Sequence, residues 1–249
     1  VYLDATYVKA RDTDLHQVVS RAVVIATGIT ANGDREVLGL AVGDSEAETF
    51  WTEFLRSLRR RGLAGVKLVI SDAHEGLKAA ARKTLQGASW QRCRVHFARN
   101  LLALVPKGHQ DVVAAALRTV FVHPNRTEIA AAWDRTADMF ARQFPKVKTL
   151  MDDAKIDVLA FSAFPPDHWR KIWSNNPLER LNKEIKRRTN VVQIFPNNGA
   201  IIRLVGAVLA EQHDDWSTHR HYLSEGSMAK LYKPRDTDTA TDDGILAIT

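Results

Sequence analysis

Three acids in this 249-residue chain stand where their chemistry is worth asking about. Asp4 falls inside Val1 to Val8, a stretch rich in β-branched and aromatic residues, where aspartate is disfavoured and burial of an unpaired charge is strongly unfavourable. Asp72 closes the apolar run Val66 to Ser71, and Glu179 sits in the first turn of a helix opened by Asn176-Pro177. Oxygen-only carboxylate clusters suit Mg²⁺ or Mn²⁺, and two such ions can activate a hydroxyl nucleophile and stabilise the leaving oxygen of a phosphodiester. Each acid also has an ordinary reading. A strand aspartate can bond local backbone, an aspartate after a strand can cap a helix, and a glutamate in a first turn is favoured by the helix dipole. What distinguishes them is the order of elements that would bring them together.

Val1 to Val8 and Val18 to Ile29 read as strands, and Ala31-Asn32-Gly33-Asp34 carries a tight-hairpin signal that returns the chain into a third strand, Glu36 to Val42. Ser45 and Glu48 have capping-box spacing and predict a helix whose Phe50, Trp51, Phe54, Leu55 and Leu58 share a face until Gly62 stops it. Val66 to Ser71 follows as a buried strand after a right-handed crossover, parallel to an earlier strand. A helix over 74–85, a short strand over 89–92 and a helix over 95–105 give the order β-β-β-α-β-α-β-α, an α/β class with a mixed five-stranded sheet. The sheet places Asp72 at the carboxyl end of a strand, where ligand crevices form in open α/β sheets.

Beyond Pro106 the pattern turns helical. Val112, Val113, Ala116, Leu117 and Val120 form one stripe, and Ile129, Trp133, Ala137 and Phe140 another. Phe164-Pro165-Pro166 reads as a break before the Asn176-Pro177 helix, and a further apolar helix is expected over 200–212. The expected organisation is therefore 1–106 as the first part of a core, 107–165 as a helical insertion and 166–232 as the rest of the core. Residues 233–249 are expected to be a disordered tail.

The helix over 177–188 carries Arg180, Lys183, Lys186, Arg187 and Arg188 against Glu179 and Glu184, while Leu178, Leu181 and Ile185 form its buried edge. Such a face could hold phosphates beside a metal site; its ordinary reading is a solvated surface with i,i+4 ion pairs. Glu184 rivals Glu179 as the third acid but lies about 140° away around the helix. Cys93 and His96 do not make a zinc site, because structural zinc wants four ligands and Cys93 is the chain's single cysteine. They read as a packed pair at a helix start or, for His96, as a group facing nucleic acid. His74 could approach the cleft of Asp72.

Composition sets the bounds. Hydrophobic residues at 45% and charged residues at 26% describe a chain that can bury a core as one large domain or two small ones. The net charge of +6 permits a nucleic-acid partner without requiring one. No stretch approaches the roughly 18 apolar residues of a membrane span, and no charged-then-apolar leader opens the chain. A lone cysteine agrees with a reducing cytoplasm. The expectation is a soluble, cytoplasmic protein. Opening on Val1 inside a strand, the chain is expected to be a fragment.

The runs Leu3-Asp4-Ala5-Thr6-Tyr7-Val8-Lys9, Val69 to Leu77, Gln91-Arg92-Cys93-Arg94-Val95-His96 and Asn175 to Arg188 together resemble the Mutator-type transposases of bacterial insertion sequences. The likeness extends from residue 1 to about Tyr232. It implies a ribonuclease-H-like core with a DDE triad of Asp4, Asp72 and Glu179, each also a ligand of Mg²⁺ or Mn²⁺, with two ions expected. It implies an all-helical insertion before the last catalytic helix. Cys93 and His96 match the family's C-x-x-H signature. His96, Arg94, Asn176, Arg180, Lys183, Lys186, Arg187 and Arg188 become candidates for contact with DNA, both element ends and target. A homodimer or larger assembly on nucleoid DNA is implied as well. A preceding region that binds terminal inverted repeats is expected to be missing. The rival readings are a nuclease on the same core without strand transfer, and a catalytically silent DNA-binding protein.

Overall fold

The computed structural model describes residues 1–12, 16–218 and 221–232; the tail expected over 233–249 lies outside the described residues. The chain divides into two compact units. One holds Val1–Val69, His74–Ser89 and the chain from Asn176 on; the other holds Ile70–Ala73 and Trp90–Asn175.

The first unit is built on the three long strands β1 (Tyr2–Asp12), β2 (Gln17–Ile29) and β3 (Arg35–Gly43). β1 and β2 pair antiparallel with Asp4 opposite Ile25, and β2 and β3 pair antiparallel with an irregularity between Ala26 and Thr27. The sheet continues through β4 (Leu68–Ser71) and β5 (Ser89–Arg92) in the order β3-β2-β1-β4-β5. The Val1 backbone nitrogen donates to the Leu68 carbonyl at 2.8 Å and the Ser89 nitrogen to the Lys67 carbonyl at 3.0 Å. β2 is buried without interruption from Ala22 to Thr27, the pattern of a strand covered on both faces.

The expected element order holds through this part: α1 (Glu48–Arg60) joins β3 to β4, α2 (Glu75–Thr84) joins β4 to β5, and α3 (Arg94–Ala103) follows. Two details differ. The helix predicted from a capping box starts at Glu48 with Ala47 at the N-cap, which makes no side-chain cap bond, so Ser45 does not cap it. Six strands replace the five expected, because Ile194–Phe195, β6, pairs parallel with the far end of β1 at Lys9 and Ala10. Two residues are too short a run for alternation to announce a strand.

The second unit is helical outside its strand ends, with α3, α4 (Gln110–Val120), α5 (Arg126–Phe140), α6 (Pro145–Val158) and α7 (Pro166–Ile172). Phe97 and Trp133 pack with ring centroids 5.3 Å apart, and Phe161 stands edge-on to Trp169 and Trp173 at 5.5 and 5.7 Å. The stripe Ile129, Trp133, Ala137 and Phe140 is buried as expected, whereas Val112 of the other stripe is 69% exposed beside buried Val113. Asn125 caps α5 by accepting from the Glu128 nitrogen at 2.9 Å. The expected break stands at Phe164 and Pro165, which are both extended, and Pro166 then opens a further short helix, α7, since proline suits a first turn. Buried Gln91 fastens the unit: its amide donates to the carbonyls of Val158 and Arg92 at 2.8 and 2.7 Å, and its Oε1 accepts from the Phe161 nitrogen at 2.7 Å.

The remaining helices of the first unit are α8 (Asn176–Val192), α9 (Asn198–Thr218) and α10 (Glu225–Tyr232). α8 packs on β1 and α9 on β3.

The hairpin after β2 forms where Asn-Gly places it, with the Gly33 nitrogen donating to the Thr30 carbonyl at 3.0 Å and Gly33 at φ +91°. A Cβ on Gly33 would stand 1.9 Å from the Leu223 carbonyl oxygen, which packs against this turn. Gly33→Ala should therefore lower the stability of the first unit by about 2 kcal/mol or more, from positive φ and backbone clash together. Urea unfolding checks this; an unchanged midpoint would mean the turn re-forms around the methyl.

Candidate active site

Asp4 is half-buried near the start of β1. Its Oδ2 accepts a hydrogen bond from Asn182 Nδ2 at 2.7 Å, and its Oδ1 accepts from the Ala5 nitrogen at 3.0 Å. The residue that reaches across is on α8, whose Leu178, Leu181 and Ile185 are buried as the sequence predicts. Asn182 is the amide of that inward face, 7% exposed. Glu179 lies three residues before it, one turn closer to the helix start and on the same side, because positions i and i+3 are neighbours on a helix surface. The first unit thus sets Asp4 and the helix face bearing Glu179 against each other through Asn182.

Asn176, Arg180, Lys183, Lys186 and Arg187 are exposed on the same helix. Arg187 and Arg188 close on Glu184, with Arg187 Nη2 and Arg188 Nε at 2.7 and 2.8 Å from Oε1, and Arg188 also reaches Glu211 at 3.2 Å. The pairing with Arg187, then with Arg188, holds the Glu184 carboxyl at about 2, against an ordinary 4.5. Both charges of the Arg187–Arg188 pair are thus engaged by acids on α8 and α9, and Glu184 is committed to them. Arg180, Lys183 and Lys186 make no ion pair among the described residues.

Asp72, Arg94 and His96 belong to the second unit. Asp72 follows β4 directly and is half-buried. The N-cap position of α2 is His74, so Asp72 is not serving as that helix's N-cap residue. The strand end before it is anchored: Ser71 Oγ accepts from Trp90 Nε1 at 2.9 Å, and the Ser71 carbonyl accepts from the Cys93 nitrogen at 2.7 Å. Cys93 is wholly buried, and its sulfur accepts from the Asn175 nitrogen at 3.2 Å. The Arg94 nitrogen donates to the Trp173 carbonyl at 3.0 Å. The Arg94 guanidinium lies 4.0 Å over the Trp173 ring and 4.4 Å over Phe121, and its burial pulls its pKa below the ordinary value. The segment Trp173–Asn175, which leads straight into α8, is thereby clamped to the start of α3. His96 lies half-buried in the first turn of that helix.

Sequence reasoning passed over Asn182 and the anchoring roles of Asn175 and Trp173. A signal existed for the first, a lone amide within the apolar stripe Leu178, Leu181, Ile185 three residues beyond an acid. The other two act through a backbone nitrogen and a ring face, which residue types do not announce.

A mixed α/β chain carrying strand-borne and helix-borne acids in this order matches the family "Transposase, Mutator family" over residues 1–219, and the chain belongs to that family. It is 47% identical over 240 residues to the transposase for insertion sequence element IS1081 of Mycobacterium tuberculosis, covering 96% of this chain and 57% of that protein. It is 42% identical over 225 residues to the transposase for IS406 of Burkholderia multivorans, covering 90% of this chain and 58% of the relative. It is 38% identical over 224 residues to the transposase for IS256 in transposon Tn4001 of Staphylococcus aureus, covering 89% and 57%. The chain spans a little over half the length of these relatives. No helix among the described residues is long and apolar enough to cross a membrane.

Because the folded-state value of Glu184 is depressed, the stabilisation from its arginine pairs is present above its ordinary pKa of 4.5 and is lost as the pH falls through about 2. Carbon-detected NMR should find Glu184 titrating near the lower value, and Arg187→Ala should move the midpoint upward. A wild-type midpoint at the ordinary value would mean the arginines do not hold it in solution.

Proposed function

We propose that this chain is the catalytic portion of a DNA transposase that cleaves and joins phosphodiesters, with Asp4, Asp72 and Glu179 as its carboxylate triad on a ribonuclease-H-like core. The observation that carries the reading is the bond from Asn182 to Asp4, which sets the acid-bearing face of α8 against β1. The antiparallel meander β1–β3, extended through helical crossovers, supports the choice of core. The position of Asp72 directly after the carboxyl end of β4 supports its place in the triad. In this reading α4 to α6 are an insertion between the strands and α8. The relatives' names speak for transposition over a nuclease without strand transfer or a silent DNA-binding protein.

Three carboxylates would together suit a hard divalent cation. The buried Asn182 Oδ1, with no hydrogen-bond partner among the described residues, is a further oxygen beside Asp4. Asp4, Asp72 and Glu179 would hold Mg²⁺ or Mn²⁺, two ions in the full site, which supply Lewis-acid activation of the attacking hydroxyl and stabilisation of the leaving oxygen. Asn182 and the Ala5 nitrogen keep Asp4 oriented. Arg180, Lys183 and Lys186 receive DNA phosphates, while Asn176 at the start of α8, and Arg94 and His96 at the start of α3, meet the strand ends. Joining two element ends needs two such sites, so a homodimer or larger assembly on DNA is part of the proposal, as is location with the nucleoid in the cytoplasm.

Asp4→Asn, Asp72→Asn and Glu179→Gln should each reduce Mg²⁺-dependent nicking and strand transfer by about a thousandfold or more while leaving DNA retention largely intact. A labelled-end joining assay with the protein extended to the relatives' full length reads both steps. Unchanged nicking in all three variants overturns the triad, and loss confined to Glu184→Gln transfers the third role to that residue. Cleavage of RNA in hybrids without strand transfer overturns the transposase reading.

Lys183→Ala and Lys186→Ala should each flatten the salt dependence of DNA binding, by about 0.7–0.9 in the log–log slope for each phosphate no longer neutralised. Arg187→Ala should change it less, because Glu184 already takes that charge. Equal slopes across all three variants would mean α8 does not meet the backbone with this face.

A further inference from the structure

Asn182 presents a buried amide whose two ends are treated differently. Its Nδ2 donates to a carboxylate at 2.7 Å, while its Oδ1, inside a residue 7% exposed, has no hydrogen-bond partner among the described residues. Rotating the amide would set Oδ1 against the negatively charged Asp4, so charge fixes the donor end on the carboxylate. A buried acceptor left without a donor is unfavourable, and packing alone would be served better by an aliphatic side chain of similar volume, such as the leucines and isoleucine around it on α8. The position therefore asks for two things at once: a donor toward Asp4 and an oxygen toward something that the described residues do not supply.

We propose that Asn182 is a positioning residue for the metal-binding carboxylate Asp4, and that its Oδ1 is satisfied when a hydrated divalent cation occupies the site. This rests on the reading of Asp4 as a metal ligand given above. The amide holds Asp4 in one rotamer through a bond to a charged acceptor, which is among the stronger and more directional hydrogen bonds in proteins. Being three residues from Glu179, it also couples the position of that acid to Asp4: any slide of α8 that moves Glu179 breaks the Asn182 bond. Outer partners of this kind set the affinity of a metal site by fixing ligands that would otherwise be reordered on binding.

The test is Mn²⁺ titration calorimetry on the whole chain, with unfolding midpoints measured without metal. Asn182→Leu and Asn182→Ser should weaken Mn²⁺ binding by about 10–100-fold. The metal-free midpoint of Asn182→Leu should stay close to the parent's, because losing the orphaned oxygen offsets losing the donor to Asp4. A midpoint that falls while Mn²⁺ affinity matches the parent overturns the proposal and leaves Asn182 a packing residue. Should neither variant fold, the parent answers alone: the Asn182 side-chain amide resonances should move on adding Mg²⁺, and resonances unmoved at saturation overturn the proposal. Asp4→Ala separates the two levels. If it binds Mn²⁺ as tightly as the parent, the metal site and this inference both fall. If it loses binding while the Asn182 variants keep it, only the inference falls.

Discussion

A carboxylate inside a β-strand is tolerable only where something donates to it, and in this protein a side-chain donor comes from a helix 178 residues further along the chain. The bond from Asn182 to Asp4 ties β1, the strand in the middle of the sheet order, to α8, the helix that carries Glu179 and the exposed basic side chains. β1 cannot shift by one residue without turning Asp4 to the other face and carrying Leu3 and Val8 with it, since side chains alternate along a strand. Its pairing with β2, fixed residue by residue from Tyr2 to Asp12, holds that register. The apolar edge Leu178, Leu181 and Ile185 fixes the rotation of α8, and the amide within that edge then falls opposite Asp4.

Inside the second unit, several polar side chains act as anchors. Gln91 satisfies three backbone groups from a fully buried position, which few residues other than an amide could do from there. Cys93 supplies a backbone nitrogen to Ser71 and a sulfur acceptor to Asn175, so the last residue before Asp72 and the last residue before α8 meet at one cysteine. Arg94 sets its charge between two rings. The pair at positions 93 and 96 therefore divides its labour: the cysteine packs and anchors, and the histidine three residues on is left half-buried at the helix start.

Legibility followed the range of the interactions. Strands β1 to β5 and the helices between them were written in local pattern, as was the hairpin at Gly33, where conformation and a close backbone approach both demand glycine. Signals that compete failed locally. Ser45 and Glu48 have capping-box spacing, yet the helix begins three residues after the serine. Pro165-Pro166 serves as a break and a helix start in turn, and the short α7 that follows depends on the packing of Trp169 and Ile172. β6 depends on the edge that β1 offers, which nothing in Ile194-Phe195 encodes. Asp4 stood out because an aspartate is out of place inside a strand, whereas Asp72 and Glu179 suit their positions and were singled out by the order of elements around them. Asn182 could not be singled out, because an asparagine in a helix becomes informative only when its partner is known.

Charge distribution carries the last step. By residue type alone, the 177–188 stretch of α8 holds five basic residues against two acids, and its whole face looks available to a polyanion. The fold removes part of that face: Arg187 and Arg188 are drawn onto Glu184, and Arg188 onto Glu211 of α9 as well. Exposed ion pairs of this sort stabilise little, but they orient guanidinium groups and lower the local positive potential near the end of the helix. Arg180, Lys183 and Lys186 remain, spaced by three residues and so winding along one side from the first turn that carries Glu179. The positive charge is graded toward the acid, with neutralised arginines behind it. Such a gradient would draw a phosphate backbone along α8 toward Glu179 and Asp4 rather than hold it evenly along the helix.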